Sequence, residues 1–441
     1  MEIRMSDLTQ YFPADDALDS IESRVFSDMA LGMKSSRILV IAYAVRAKIE
    51  SGATVANFTV GDFKPTEFQI PTEMRDAIIE AYQDNQTNYP PAHGTPELRA
   101  ALCAHYRDTL GLDYPEDGFV VASGARPVLY AVYRCIVNPG ETVLTPAPSW
   151  NNSNFCHLVG AEHINVPTRP EDGFMPTVDT LRPHIQKARL LVLCSPMNPA
   201  GTMITHEQMA DICELILEEN RRRDAAGERA LYVIYDQVYR MLSLGEHTHV
   251  TPVSVAPEMA AYTLMTDAVS KAFAGTGLRV GWMAGPPFIC ARVKALMTHM
   301  GAWAPRPAQA GTAKFLRNAD AMSRYMEDFK SGIRVRLDCL HSAFQEWESE
   351  GLPIRSIAPQ GAIYLSVFFG LQGTPGFETE DAVLSYLLEE AGCAVVPFSA
   401  FGDSHNVGWV RFSVGAVSLD EIKACLPRIK GALLKAVGAP A

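Results

Sequence analysis

From about residue 57 to residue 290 the sequence alternates short apolar runs with longer stretches of helical spacing, and this constrains the fold most. The runs are DGFVVAS, ETVLTP, ARLLVLCSP, ALYVIYD and YTLMTDAVS. A short run that is apolar at consecutive positions fits a strand covered on both faces, and intervening helices supply that cover. The pattern predicts βα units and a mostly parallel, buried sheet. Several runs end in small or polar residues, which suits ligand-binding groups at the carboxyl ends of strands.

The flanking segments read differently. The first fifty or so residues look mainly helical. Residues 35–50, SSRILVIAYAVRAKIE, carry helical apolar spacing with a serine at the head as a cap. TVANFTVGDF reads as a short strand running into a glycine turn. Residues 311–346 are again helical. From residue 352 the chain reads as α+β, with IYLSVFF and GWVRFSVG as strands and SLDEIKACLPRIKGALLKAV as a closing amphipathic helix. EENRRRDAAGER, residues 218–229, reads as a helix end and a solvated surface loop. The expected architecture is α/β: a large domain over 57–330, and a smaller α+β domain built from both chain ends, 1–56 and 331–441.

Composition narrows the function. A chain of 441 residues with 48% apolar and 20% charged residues packs as an ordinary globular protein of two or more domains. Its formal net charge of -12 argues against nucleic-acid and membrane-surface binding, which need a basic face. The nine cysteines are scattered, odd in number and without metal-ligand spacing, which points to reduced core residues in a cytoplasmic protein. No metal is expected. MEIRMSDLTQ lacks a basic region followed by an apolar stretch, so no signal peptide is read there, and no apolar run approaches a membrane span.

Five places carry residues with chemical potential. SKAFAGTGLRVGW, residues 270–282, sets Lys271 and Arg279 among small and apolar neighbours, where cations rarely sit. YDQVY places Asp236 and Tyr239 after an apolar strand. SPMNPAGT places Asn198 after another. VASGARPVLYAV joins a strand to a helix through Ser123, Gly124 and Ala125, and VRFSVG puts Arg411 in a late strand. Each alone has a plain structural explanation: helix caps, turns, an ordinary helix start.

Taken in order, SGA, PAPSW, SPMNPAGT, YDQVY, SKAFAGTGLR and VRFSVG resemble the fold-type I aminotransferases that use pyridoxal 5'-phosphate, and more narrowly the class I/II aspartate and aromatic aminotransferase family. The resemblance runs from about residue 35 to the C-terminus and includes NYPPAHGTPELRAAL (88–102), WAPRPAQ (303–309) and PQGAIYLSV (359–367). It implies a role for each residue. Lys271 holds the cofactor's aldehyde as a Schiff base and then moves a proton, tasks that need an amine of lowered pKa. Arg279 and Ser270 bind the phosphate, with Gly275 and Gly277 letting the backbone curl. Gly124, Ala125 and Arg126 open a helix toward that phosphate. Asp236 keeps the pyridine nitrogen protonated. Tyr239 and Asn198 bond the ring's phenolic oxygen, and Trp150 stacks on the ring. Arg411 grips the substrate α-carboxylate, near Gly61, and Tyr364 is a substrate-pocket aromatic. Tyr89 is lent to the neighbouring subunit's phosphate, which implies a homodimer.

Two positions depart from the family pattern. Ala268 stands where a phosphate-binding serine often lies, with Ser270 as the substitute. Met300, three residues before Trp303, stands where one subgroup has an arginine that reads a distal carboxylate. Arg306 and Arg126 are the candidate replacements, and acidic, aromatic and aliphatic substrates all stay open. The expected activity is transfer of an amino group from an amino acid to a 2-oxo acid. Its rivals are a lyase or decarboxylase using the same cofactor, and a non-catalytic regulator on the same fold. Arg411 weighs against decarboxylation because it retains the α-carboxylate.

Overall fold

The computed structural model describes residues 8–12, 18–33 and 37–438. The serine cap expected at 35–36 lies outside the described residues. The N-terminal part is helical where described: Leu18–Val25, Asp28–Leu31 and Arg37–Glu50. It leads into β1, Ala56–Asn57, which pairs in parallel with Cys393–Ala394 near the other end of the chain.

The alternating middle of the chain forms one sheet. Its strands are β2 (Phe119–Ala122), β3 (Thr142–Ala147), β4 (Glu162–Pro167), β5 (Ala188–Cys194), β6 (Tyr232–Asp236), β7 (Thr263–Ala268) and β8 (Gly281–Ala284). They lie in the order β2-β8-β7-β6-β5-β3-β4. All neighbours are parallel except those of β8, which runs antiparallel to both β2 and β7. The strands β2, β3, β7 and β8 are buried at every position, because helices cover both faces. Only β4, at the sheet edge, alternates toward polar and exposed residues.

A second, antiparallel sheet stands against the carboxyl ends of these strands. It holds β9 (Ile354–Ser356), β10 (Tyr364–Phe369), β12 (Val396–Pro397) and β13 (Trp409–Ser413), in the order β12-β13-β10-β9; β11, Cys393–Ala394, pairs instead with β1. Register brings Arg411 opposite Ser366 on one side and Val396 on the other. The closing helix, Leu419–Ala436, starts at a capping box in which Ser418 and Glu421 satisfy each other's backbone N–H groups.

Two expectations need correction. The helical region read over 311–346 is two helices, Arg306–Leu316 and Ala319–Ser349, and Asn318 caps the second by accepting from Ala321 N. The charged run 218–229 is not simply a solvated face. It ends the helix His206–Ala225, and Glu219, Asn220 and Arg223 on it are buried. Arg223 bonds Glu219 at 2.6 Å and donates to the carbonyls of Ile185, Gln186 and Arg229. A buried guanidinium persists only with such pairing, and the residue spacing i, i+4 provides it.

Candidate active site

A cavity of about 460 Å³ opens where the two sheets meet. Twelve of the residues expected to hold cofactor or substrate line it: Ala125, Arg126, Trp150, Asn198, Asp236, Tyr239, Ser270, Lys271 and Arg279 from the larger sheet's side, and Gly61, Tyr364 and Arg411 from the other, while Gly124 and Tyr89 do not. Gly124 stands directly behind Arg279. Tyr89 lies outside the cavity, 83% exposed and edge-on to Trp303 at 5.2 Å.

Lys271 follows β7 on the one-turn helix Val269–Ala272. Its Nζ donates to the carbonyl of Gly61 and lies 5.7 Å from the Phe63 ring centre. Burial pushes its ammonium down from an ordinary 10.5 to about 8. Arg411, Arg126 and Arg279 push the same way, and only Asp62 opposes them. The curl that turns Arg279 toward Lys271 does not come from Gly275 or Gly277. Ala274 (φ 49°) and Arg279 itself (φ 57°) take the left-handed conformation instead. A non-glycine residue held there needs surrounding structure to fix it. Arg279 has it: Nη1 donates to Thr276 O at 2.7 Å and Nη2 to Ser123 O at 3.1 Å. Gly124, at φ 88°, has no Cβ because one would lie 2.2 Å from the Arg279 guanidinium.

Asp236 closes β6. Its carboxylate accepts from Val238 N at 3.2 Å, and burial pushes it up from 3.8 to about 7, with Asp267 adding to the rise. Asp267 is itself neutralised by Arg240 at 2.6 Å, so that cation is not free for Asp236. Among the described residues no cation lies within ion-pair distance of Asp236, and no carboxylate lies within that distance of Lys271, Arg126, Arg279 or Arg411. Four cations, Lys271, Arg126, Arg279 and Arg411, therefore line the cavity with two carboxylates, Asp62 and Asp236, none of them ion-paired among the described residues, and a zwitterionic or anionic occupant would complete the balance.

Arg411 is 2% exposed. Its Nη1 donates to Asn198 Oδ1 at 3.0 Å and its Nη2 to Thr59 O at 2.6 Å, while Nε is buried without a partner among the described residues. Tyr239 and Tyr364 share a hydroxyl–hydroxyl bond of 2.5 Å. The Arg126 guanidinium lies over the Trp150 ring at 4.3 Å. Of the two arginines considered for distal recognition, only Arg126 lines this cavity. Arg306 bonds Asn88 at 2.6 Å elsewhere. Met300 is 38% exposed and does not line it.

The cavity also contains residues that the sequence reading did not single out. Asp62 and Thr59 flank Gly61, and Cys194 ends the strand ARLLVLC, so adjacency to noted motifs was their only signal. Ile38, from the N-terminal helix Arg37–Glu50, reaches in with no motif at all.

The chain resembles known proteins over most of its length. A profile of the aminotransferase class I and II family covers residues 53–429. The chain is 29% identical to a Petunia hybrida protein, the bifunctional aspartate aminotransferase and glutamate/aspartate-prephenate aminotransferase, over 95% of this chain and 85% of that one. It is 28% identical to the aspartate/prephenate aminotransferase of Thermus thermophilus, over 91% of this chain and 97% of that one. The fold superposes on the solved aspartate aminotransferase of Thermus thermophilus with maleate at a TM-score of 0.81, with 26% identity and 92% and 99% coverage. It also superposes on the aromatic aminotransferase of Pyrococcus horikoshii at 0.78, with 26% identity and 89% and 99% coverage. The chain belongs to the class I and II aminotransferases, of fold type I, and is an enzyme that transfers amino groups with pyridoxal 5'-phosphate.

Proposed function

We propose that Lys271 carries the cofactor and that the cluster around it binds each part of the cofactor and substrate. The observation that carries this reading is the buried carboxylate of Asp236, which has no ion-pair partner among the described residues, in a cavity that also holds Lys271, Arg126, Arg279 and Arg411. A protonated pyridine nitrogen would supply its positive partner. Arg279, Ser270 and the N–H groups that open the helix Ala125–Ile136 would hold the phosphate, with Gly124 leaving the space the guanidinium needs. Tyr239 and Asn198 would face the ring oxygen, and Trp150 the ring face. When bound, the cofactor supplies an aldehyde for an incoming amine and a cationic ring that withdraws electrons.

The remaining steps belong to the protein's own groups. Arg411 is pre-set by Asn198 and Thr59 and has a free Nε, so it would orient the substrate by its α-carboxylate. Lys271 Nζ, with a pKa lowered to about 8, would take the proton from the substrate Cα as a base. Gly124→Ala should weaken cofactor retention, because the added Cβ displaces Arg279 and strains a positive φ. Equilibrium dialysis of the cofactor at fixed pH measures this, and unchanged retention would contradict the phosphate assignment.

We further propose an acidic substrate. Relatives are named for aspartate and for glutamate/aspartate–prephenate exchange. In this chain Arg126 stands at the cavity with no carboxylate partner among the described residues, held flat by Trp150. Its guanidinium would take the distal carboxylate. Arg126→Ala should raise KM for aspartate or glutamate roughly 10- to 100-fold, the scale of one charged hydrogen-bonded pair, and change KM for alanine far less. Equal effects on both would remove Arg126 from distal recognition.

The wider organisation belongs to the same reading. Residues 57–330 would form the cofactor-binding domain, and 1–56 with 331–441 the smaller one. A homodimer would let the exposed Tyr89 reach the partner's phosphate site. The nine free cysteines support a reducing, cytoplasmic setting. The defining experiment mixes the purified holoenzyme with a panel of amino acids and no oxo acid. One equivalent of 2-oxo acid per site supports amino transfer; release of ammonia or carbon dioxide favours a lyase or decarboxylase.

A further inference from the structure

Tyr364 is fully buried, and its hydroxyl has one hydrogen-bond partner among the described residues, the hydroxyl of Tyr239 at 2.5 Å. The rings meet edge to face, with centres 5.5 Å apart. Arg411 lies over the Tyr364 ring at 4.7 Å. Tyr364 reaches this place from β10, and its hydroxyl approaches Gly61 so closely that a Cβ there would meet it at 3.0 Å. So the ring is covered on one face by Arg411, and its hydroxyl is directed at Tyr239.

A phenol has one proton to donate. If Tyr239 gave its proton to Tyr364, it would present only lone pairs to an anionic oxygen in the cavity. If Tyr364 donates instead, the Tyr239 proton is free to point into the cavity. The cation stacked on Tyr364 decides between these, because it draws electrons from that ring and makes its hydroxyl the stronger donor. Burial raises the pKa of Tyr239 far above the ordinary phenol value, so it stays a neutral donor.

We propose that Tyr364 is a positioning residue: it donates to Tyr239 and thereby directs the Tyr239 proton onto the cofactor's phenolic oxygen. This rests on the cofactor placement proposed above. The two bonds run in one direction, Tyr364 to Tyr239 to ligand, so each strengthens the other. Drawing density from the phenolic oxygen weakens its hold on the neighbouring lysine nitrogen's proton. Tyr364 therefore lowers the pKa of the cofactor-bearing Lys271 nitrogen through Tyr239. The other charged or titratable groups facing these atoms are Asp62, Arg126, Arg279 and Arg411 around Lys271, Cys194 beside Tyr239, and Asp236 at the far side of the cavity. All of them are retained in the variants below.

The test is a spectrophotometric pH titration of the holoenzyme, read as the midpoint of the cofactor's visible absorbance change. Tyr364→Phe should raise the midpoint by roughly half a unit to one unit, the size of one neutral hydrogen bond. Tyr239→Phe should raise it further, and Tyr364→Phe should add nothing in that background. Tyr364→3-fluorotyrosine, a stronger donor of the same shape, should move the midpoint the other way. If Tyr239→Phe shifts the midpoint and neither Tyr364 variant does, the inference is overturned while the cofactor placement stands. If Tyr239→Phe shifts nothing, both fall. A Tyr364→Phe shift that persists in the Tyr239→Phe background would also overturn the inference, since Tyr364 would then act by another route.

Discussion

Lys271→Ala is expected to lower turnover by at least about a thousandfold and to abolish the pH-dependent visible absorbance of the holoenzyme, while leaving the fold intact. The magnitude is that of losing a positioned proton-transfer group, about 10²–10⁴, together with the covalent link. The fold should survive because, among the described residues, Lys271 Nζ bonds only Gly61 O, and removing a buried cation relieves a desolvation cost. At pH 8 about half of a lysine with pKa about 8 is neutral, against fewer than about one in a hundred at the ordinary 10.5. This is what suits Lys271 to act as a base. Steady-state turnover, absorbance spectra and circular dichroism together check the prediction. A variant that keeps the absorbance would remove Lys271 from the cofactor site.

Asp236→Asn is the second large effect. The carboxylate has no cationic partner among the described residues, and burial holds it near neutrality at about 7. A cationic ring brought beside it forms a buried ion pair, and breaking such a pair from one side costs about 3–5 kcal/mol. At about 1.4 kcal/mol per tenfold, the expected loss in kcat/KM is roughly 10²- to 4 × 10³-fold, with the amide unable to hold the ring proton. Single-turnover rates of the amino-acid half-reaction measure it. Unchanged rates would mean that Asp236 does not support the electron sink.

The legible part of this fold was its middle. Continuous apolar runs became β2, β3, β5, β6 and β7, since strands covered on both faces leave an unbroken apolar record. Two strands left no such record. β4 lies at the sheet edge and spends its residues EHINVP partly on solvent, and β8 is a short antiparallel strand just after the lysine–arginine loop. The residues that gather in the cavity were legible because strand ends place them there: Asp236 is the last residue of β6, and Asn198 and Lys271 lie just after β5 and β7. Contacts between distant segments were not. Nothing local in PQGAIYLSV says that Tyr364 meets Tyr239, or that Ile38 enters from the N-terminal helix. The loop after Lys271 shows the limit from the other side. Its glycines draw the eye, yet the left-handed residues are Ala274 and Arg279, because side-chain bonds to Thr276 O and Ser123 O pin Arg279 in place.

The central claim is that this one lysine carries the cofactor. Borohydride reduction of the holoenzyme followed by peptide mass mapping tests it most directly. The account predicts the reduced cofactor's mass on the peptide containing Lys271 and on no other. Its attachment to a different lysine, or full activity after reduction with no label on Lys271, would contradict the account.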